Sequence, residues 1–135
     1  MAKQETFEVD GRSFVGFMSS AVKQDELLSL LTARLFVSFQ SAAKLGAEVN
    51  EKSISITLMS LPPDVKKKVV DILTEKIFLE GTEIRVSAKD FQGKMVEWNR
   101  LLAKLLIWNL ADFFDLLRSD LQSATQQTAN QNPEA

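Results

Sequence analysis

The sequence predicts an α+β fold, predominantly α-helical: an N-terminal β-hairpin packed on a bundle of three to four helices, with a disordered C-terminal tail. Three observations carry this reading. An Asp10-Gly11 pair separates two alternating segments, apolar residues then recur at three- and four-residue steps, and all periodicity stops beyond Leu121. A length of 135 residues is close to the modal size of one domain. Residues 1–121 therefore read as a single helical domain with the hairpin at about 5–16, and residues 122–135 as a polar tail.

The hairpin is the sharpest local signal. Thr6-Phe7-Glu8-Val9 and Arg12-Ser13-Phe14-Val15 flank Asp10-Gly11. A two-residue type I′ turn needs positive φ at both central positions, which Asp-Gly tolerates. With that loop, Val9 faces Arg12 and Phe7 faces Phe14, so the two phenylalanines form a cross-strand pair on one face. An isolated hairpin is marginal in water, so that face has to pack on something.

From about Gln24 to Leu45, Leu27, Leu28, Leu31, Leu35, Phe39 and Ala42 mark one face of an amphipathic helix. Ser20 or Asp25 suits its start and Gly46 its end. Leu30, Ala33, Phe36 and Val37 widen the stripe, which predicts burial on more than one side. Residues 53–61 (SISITLMSL) are ambiguous: Ser53 to Leu58 alternates strictly and its β-branched residues favour a strand, while a short helix leading to Pro62 is the competing reading. Pro62-Pro63-Asp64 opens a further helix, with Asp64 at the positive dipole end. Val65, Val69, Ile72, Leu73, Lys76 and Ile77 form its inner face, and Lys66, Lys67, Lys68 and Asp71 point largely outward. It ends before Gly81, and Glu83–Val86 reads as a short extended segment.

Ser87, with Asp90 three residues on, is a capping start. Helical periodicity then runs through Phe91, Met95, Trp98, Leu102, Leu105, Leu106, Asn109, Phe113, Leu116 and Leu117. That is long for a globular helix, so a bend near Asn109 is expected. Residues 122–135 are polar, nearly uncharged and aperiodic, the signature of disorder.

Composition narrows function. The chain has no His, Cys or Tyr. A Ser-His-Asp triad, a thiol nucleophile and an ordinary zinc or iron-sulfur site are thus excluded. No cofactor is expected. The first ten residues carry Lys3, Glu5 and Glu8 without an apolar core, and Lys104, Asn109, Asp112 and Asp115 interrupt the most apolar stretch. Neither a signal peptide nor a membrane span is expected, and the chain reads as cytoplasmic.

Three groups of residues invite a functional reading. Asp112 and Asp115 are neighbours at i,i+3, with Glu97 and Asp120 on the same helical stretch. They suit acid/base or divalent-cation chemistry, but no phosphate loop or EF-hand spacing accompanies them, so a solvated helix face is favoured. Lys66-Lys67-Lys68 is the one basic run, set among Asp64, Asp71 and Glu75 in a chain of net charge −2. Nucleic-acid binding needs a clustered basic surface, so none is expected. Trp98, Trp108, Phe113 and Phe114 make the last helix aromatic, and around residues 107–117 almost no polar face remains. Such residues are usually core, yet a terminal helix apolar nearly all round is also buried by self-association or a partner.

The order of these features resembles the tail assembly chaperones of long-tailed, siphovirus-like bacteriophages. Phe7-Glu8-Val9-Asp10-Gly11 followed by a basic residue is similar to that family's opening, and an apolar middle helix and Leu61-Pro62-Pro63-Asp64 follow. The most specific block is Asp90-Phe91-Gln92-Gly93, Glu97-Trp98, Leu101-Leu102 and Trp108-Asn109-Leu110-Ala111-Asp112-Phe113-Phe114. In the family the last segment tends to read Asn, aromatic, Gly, Asp, Phe, Phe; here Leu110 and Ala111 stand for the aromatic and the Gly. The similarity spans about residues 5 to 118.

The resemblance implies a non-enzymatic protein of the host cytoplasm during tail assembly, absent from the mature virion. It would bind and solubilise the tape measure protein and self-associate into a curved or spiral homo-oligomer. Such a protein needs apolar surface that is reversibly covered. The candidate residues are Phe7 and Phe14 on the hairpin, and Trp98, Trp108, Asp112, Phe113, Phe114 and Leu117 at the C-terminal end. Two rival readings stay open: a structural or adaptor virion protein with no chaperone role, and a carboxylate- or metal-dependent enzyme using Asp112, Asp115 or Glu97.

Overall fold

The structure, a computed structural model, describes residues 4–44, 50–117 and 119. In chain order the elements are β1 (Gln4–Val9), β2 (Arg12–Phe17), α1 (Ala21–Lys44), α2 (Glu51–Met59), α3 (Pro63–Thr74), β3 (Ile77–Leu79) and α4 (Met95–Asn109), with a 3-10 turn at Ala88–Phe91 ahead of α4. A last helical segment, α5, covers 111–117. The fold is α+β and mostly helical, with the N-terminal hairpin packed on helices, as the sequence predicts. The polar tail and Gly46 lie outside the described residues.

The hairpin forms in the expected register. Asp10 and Gly11 take φ of 57° and 75°, the two positive values a type I′ turn requires. Phe7 pairs with Phe14 and Val9 with Arg12, and the ladder continues to Gln4 and Phe17. A third strand, unforeseen in the sequence, extends it. β3 runs antiparallel to β2, with Phe14 opposite Leu79, Val15 opposite Phe78 and Gly16 opposite Ile77. Ile77, read above as the inner face of a helix, thus belongs to the sheet, and Lys76 also lies beyond α3. The position fits either period, because Ile77 sits four residues after Leu73. The chain turns at Gly81 and returns along β3, where Leu79 N–H donates to the Ile84 carbonyl and Val86 N–H to the Ile77 carbonyl, each at 3.0 Å.

Helix α1 begins at Ser20, whose hydroxyl accepts the Lys23 N–H at 3.3 Å. Leu27, Leu31 and Leu35 are fully buried along a single row. The expectation of burial on several sides is not met: Ala33, Phe36 and Val37 face solvent and Leu30 is half-buried. α2 and α3 cover one flank of α1. The side chains of Phe39 and Ala42 are outside the described set.

Residues 53–61 resolve in favour of helix. Asn50 caps α2 reciprocally: its Oδ1 accepts the Ser53 N–H at 3.1 Å, and Ser53 Oγ accepts the Asn50 N–H at 2.9 Å. Ser55 and Thr57 turn their hydroxyls back to the Glu51 and Ser53 carbonyls at 2.8 and 3.1 Å, leaving Ile54 and Leu58 to enter the core. The Pro62-Pro63-Asp64 start of α3 is as expected.

The Ser87–Asp90 capping box also forms, but it opens only the short 3-10 turn. Gly93, at φ 78°, breaks the chain before α4 begins at Met95. α4 ends at Asn109, and the bend expected there separates it from α5. α4 packs against α2, α3 and β1, so it forms the spine of the core.

Candidate partner-binding surface

The aromatic residues singled out in the sequence meet one another. Phe14 and Trp98 flank Phe91, with ring centroids 5.8 and 5.5 Å away, and the Arg12 guanidinium lies 5.7 Å from the Phe91 centroid. Phe7 meets Trp108 edge-on at 5.1 Å, so the hairpin's aromatic face is seated on α4. Phe113 and Phe114 contact each other at 5.9 Å. Phe7, Phe14, Trp98, Phe114 and Leu117 are buried within the chain. Of the eight candidates, Trp108 and Phe113 are half-buried and Asp112 is exposed. The hairpin face is therefore covered inside the chain by Phe91 and Trp108, while Phe113 and Phe114 pair with each other on α5, and solvent access remains at Trp108, Phe113 and Asp112.

Glycine makes that seat possible. A Cβ on Gly16 would lie 2.5 Å from the tip of Ile77 on β3 and 3.3 Å from Phe7 on β1, and would touch Trp108 at 3.6 Å, so the glycine leaves the space those side chains fill. Beside the Phe7–Trp108 contact a cavity of about 390 Å³ is lined by Glu5 to Glu8 of β1, Lys104 and Trp108 of α4, and Glu51 of α2. Glu51 accepts from Lys104 Nζ at 2.9 Å and from Arg100 Nε at 3.2 Å, and Arg100 also pairs with Glu97 at 3.3 Å. Burial raises the Glu51 pKa, but the hydrogen bonds and charges of Lys104 and Arg100 outweigh it and hold the carboxyl below its ordinary value.

Beside this region Leu116 of α5 is 58% exposed, and further apolar side chains reach solvent on other elements. On α1, Phe36 and Val37 are 44% and 59% exposed, and on α2 Ile56 and Met59 are exposed as well. The outer face of the sheet presents half-buried Val15, Phe17 and Phe78. Phe36 and Val37 were visible in the sequence as a widened stripe; what the sequence does not show is that, among the described residues, they stay exposed while Leu27, Leu31 and Leu35 are covered. Met95, expected in the inward stripe, is exposed because α4 starts at that residue and its phase is set by the Gly93 break.

The polar candidates separate. Asp112 and Asp115 both lie on the exposed side of α5, and among the described residues no three His, Cys, Asp or Glu side chains converge as metal ligands. Lys66, expected to point outward, instead turns inward. Its ammonium donates to the Leu58 carbonyl at 2.9 Å and to Asn99 Oδ1, tying α3 to α2 and α4. Burial lowers its pKa. Among the described residues no helix is long and apolar enough to cross a membrane. No family model, curated protein or solved structure matches the chain.

Proposed function

We propose that this chain is a non-enzymatic tail assembly chaperone of a long-tailed bacteriophage, which binds and solubilises the tape measure protein and self-associates in the host cytoplasm. One observation supports this above the rest: the domain fills its core and still leaves large apolar side chains of α1 in water. Leu27, Leu31 and Leu35 satisfy the core, while Phe36 and Val37 remain uncovered on the same helix. Apolar helical surface left over after folding marks a site for another chain. The sequence motifs shared with tail assembly chaperones supply the identity of that chain. A curved homo-oligomer uses the same kind of surface, repeated head to tail.

The test is co-expression with a tape measure protein of a long-tailed bacteriophage, reading the soluble fraction of that client. Raised solubility supports the reading, and no gain overturns it. Light scattering on the chain alone tests self-association: a strict monomer at high micromolar concentration rejects that part.

A further inference from the structure

Between α3 and the segment that returns along β3 lies a groove of about 520 Å³, floored at one end by Trp98 of the aromatic core. Its apolar lining is Val70, Val86, Met95 and Trp98, and its cations are Lys66, Lys67 and Arg85 against the single carboxylate of Asp71. This excess of positive charge stands out in a chain of net charge −2. Among the described residues none of the three cations is in an ion pair; Lys66 is held by a carbonyl and an amide oxygen, both neutral. At and beside the groove, Ile84, Met95 and Val96 are each more than half exposed.

The α3 wall has the form a helix reads. Lys66, Val70 and Thr74 make one i,i+4 row, and Lys67 and Asp71 the next, so the furrow between the rows accepts the ridge of a second helix. The first row spans about 12 Å at 1.5 Å per residue, or roughly two helical turns. An apolar furrow whose rim cations outnumber its one carboxylate, with Glu75 beside Arg85 at the far end, is complementary to an apolar helix face flanked by carboxylates. We propose that this groove docks an acidic amphipathic helix of a partner protein, its carboxylates facing Lys67 and Arg85 and its apolar stripe lying on Val70 and Met95. The proposal rests on the reading of the chain as a holder of helical clients, and it names the chemistry of the client segment.

The probe is a labelled helical peptide of about 18 residues, five turns, with Leu at i, i+3, i+4 and i+7 and Glu on both flanks. A twin carries Lys in place of Glu. Binding to the full chain is followed by fluorescence anisotropy. The Glu peptide binds, weakens as salt rises, and binds about tenfold less well to the Lys67→Glu/Arg85→Glu double variant. The Lys peptide shows the reverse preference. Lys67 and Arg85 are both exposed, so the double variant keeps its fold, checked by an unchanged urea midpoint. Equal binding of the two peptides, or of the Glu peptide to both proteins, overturns the proposal. So does preference for duplex DNA over the Glu peptide, which reassigns the groove to nucleic acid. Co-expression separates the two readings. If the double variant solubilises the tape measure protein as well as the wild type, the groove is rejected and the chaperone stands. If the wild type itself fails to solubilise it, the chaperone is rejected and the peptide titration still judges the groove.

Discussion

The side-chain oxygen of Asn109 accepts the backbone N–H of Ser19 at 2.9 Å, across 90 residues of sequence, while its amide nitrogen donates to the Leu105 carbonyl at 2.9 Å. The buried amide thereby fastens the end of α4 to the β2–α1 junction. It also sits where the sequence predicts a bend. Replacing it with Ala leaves the Ser19 N–H without its acceptor, while the Leu105 carbonyl keeps its helical bond to the backbone N–H of residue 109, so the cost is the desolvation of one donor. Asn109→Ala is therefore expected to lose roughly 1–3 kcal/mol, read from the urea midpoint at unchanged slope. A loss below the error of the extrapolation would show that water replaces the amide.

Phe7 and Trp108 carry the contact between the sheet and α4. Phe7→Ala is expected to cost about 3 kcal/mol, the low end for a buried aromatic, because Trp108 is only half covered. A double-mutant cycle with Trp108→Ala should return a coupling of about 0.5–1.5 kcal/mol from the edge-on pair. Gly16→Ala tests the same seat by overpacking. Its Cβ meets the buried Ile77 methyl, and a loss of about 1–3 kcal/mol is expected.

These elements show what the sequence encodes locally and what it leaves to packing. Asp10-Gly11 specifies its own turn, so the hairpin register was legible from two residues. Residues 53–58 carry a strand-like alternation because Ser53, Ser55 and Thr57 occupy every second position. In the fold those hydroxyls bond back to carbonyls of their own helix, and the spacing of Ile54 and Leu58 wins because α4 lies against it. β3 was hidden for a related reason: three residues are too few to show a period of two, and Ile77 continues the four-residue rhythm of α3. Lys66 looks like the first of three solvated lysines until Asn99 and the end of α2 are placed beside it. The candidate surface was legible only as a supply of Phe and Trp. Which of them stay in water depends on how many sides of α1 and α4 are covered, a tertiary property that no periodicity records.

Glu51 makes stability depend on acid pH. Its folded pKa lies below the ordinary value of 4.5, so it contributes stability above that value and loses it as pH falls through the folded pKa. The side chain is partly exposed and the pairs are screened by solvent, so the contribution is about 1 kcal/mol or less. Glu51→Gln should be slightly less stable than the wild type at neutral pH. The difference should vanish in acid and shrink in high salt. A difference that persists below the folded pKa would assign the role of Glu51 to packing rather than to its charge.

Lys66 acts in the opposite direction and at the other end of the pH scale. Burial lowers its folded pKa below the ordinary 10.5, so the folded state resists its charge. The penalty is present in full below the folded pKa and is relieved as pH rises toward the unfolded value, where the unfolded chain holds more protons. The wild type should therefore gain stability relative to Lys66→Met over that alkaline window. At neutral pH two effects oppose each other in Lys66→Met: the buried charge is removed, but Asn99 Oδ1 and the Leu58 carbonyl lose their donor. The slope of the difference against pH isolates the charge, and a flat difference would show that Lys66 titrates as a free lysine does.

Phe36 and Val37 supply the sharpest test of self-association, because they separate surface from core within one helix. Both lie on the uncovered side of α1, whereas Leu31 lies fully in the core. Phe36→Gln with Val37→Lys keeps helix-forming residues and removes apolar surface from water, so the unfolding midpoint should move by no more than about 0.5 kcal/mol. The mass by light scattering should nevertheless fall toward the monomer. Leu31→Ala is the control: it should cost about 2–5 kcal/mol and lower the midpoint directly. If the double variant assembles as the wild type does, copies of the chain meet through a surface other than α1. The exposed Ile56 and Met59 of α2, together with the half-buried outer sheet face of Val15, Phe17 and Phe78, are then the next places to substitute.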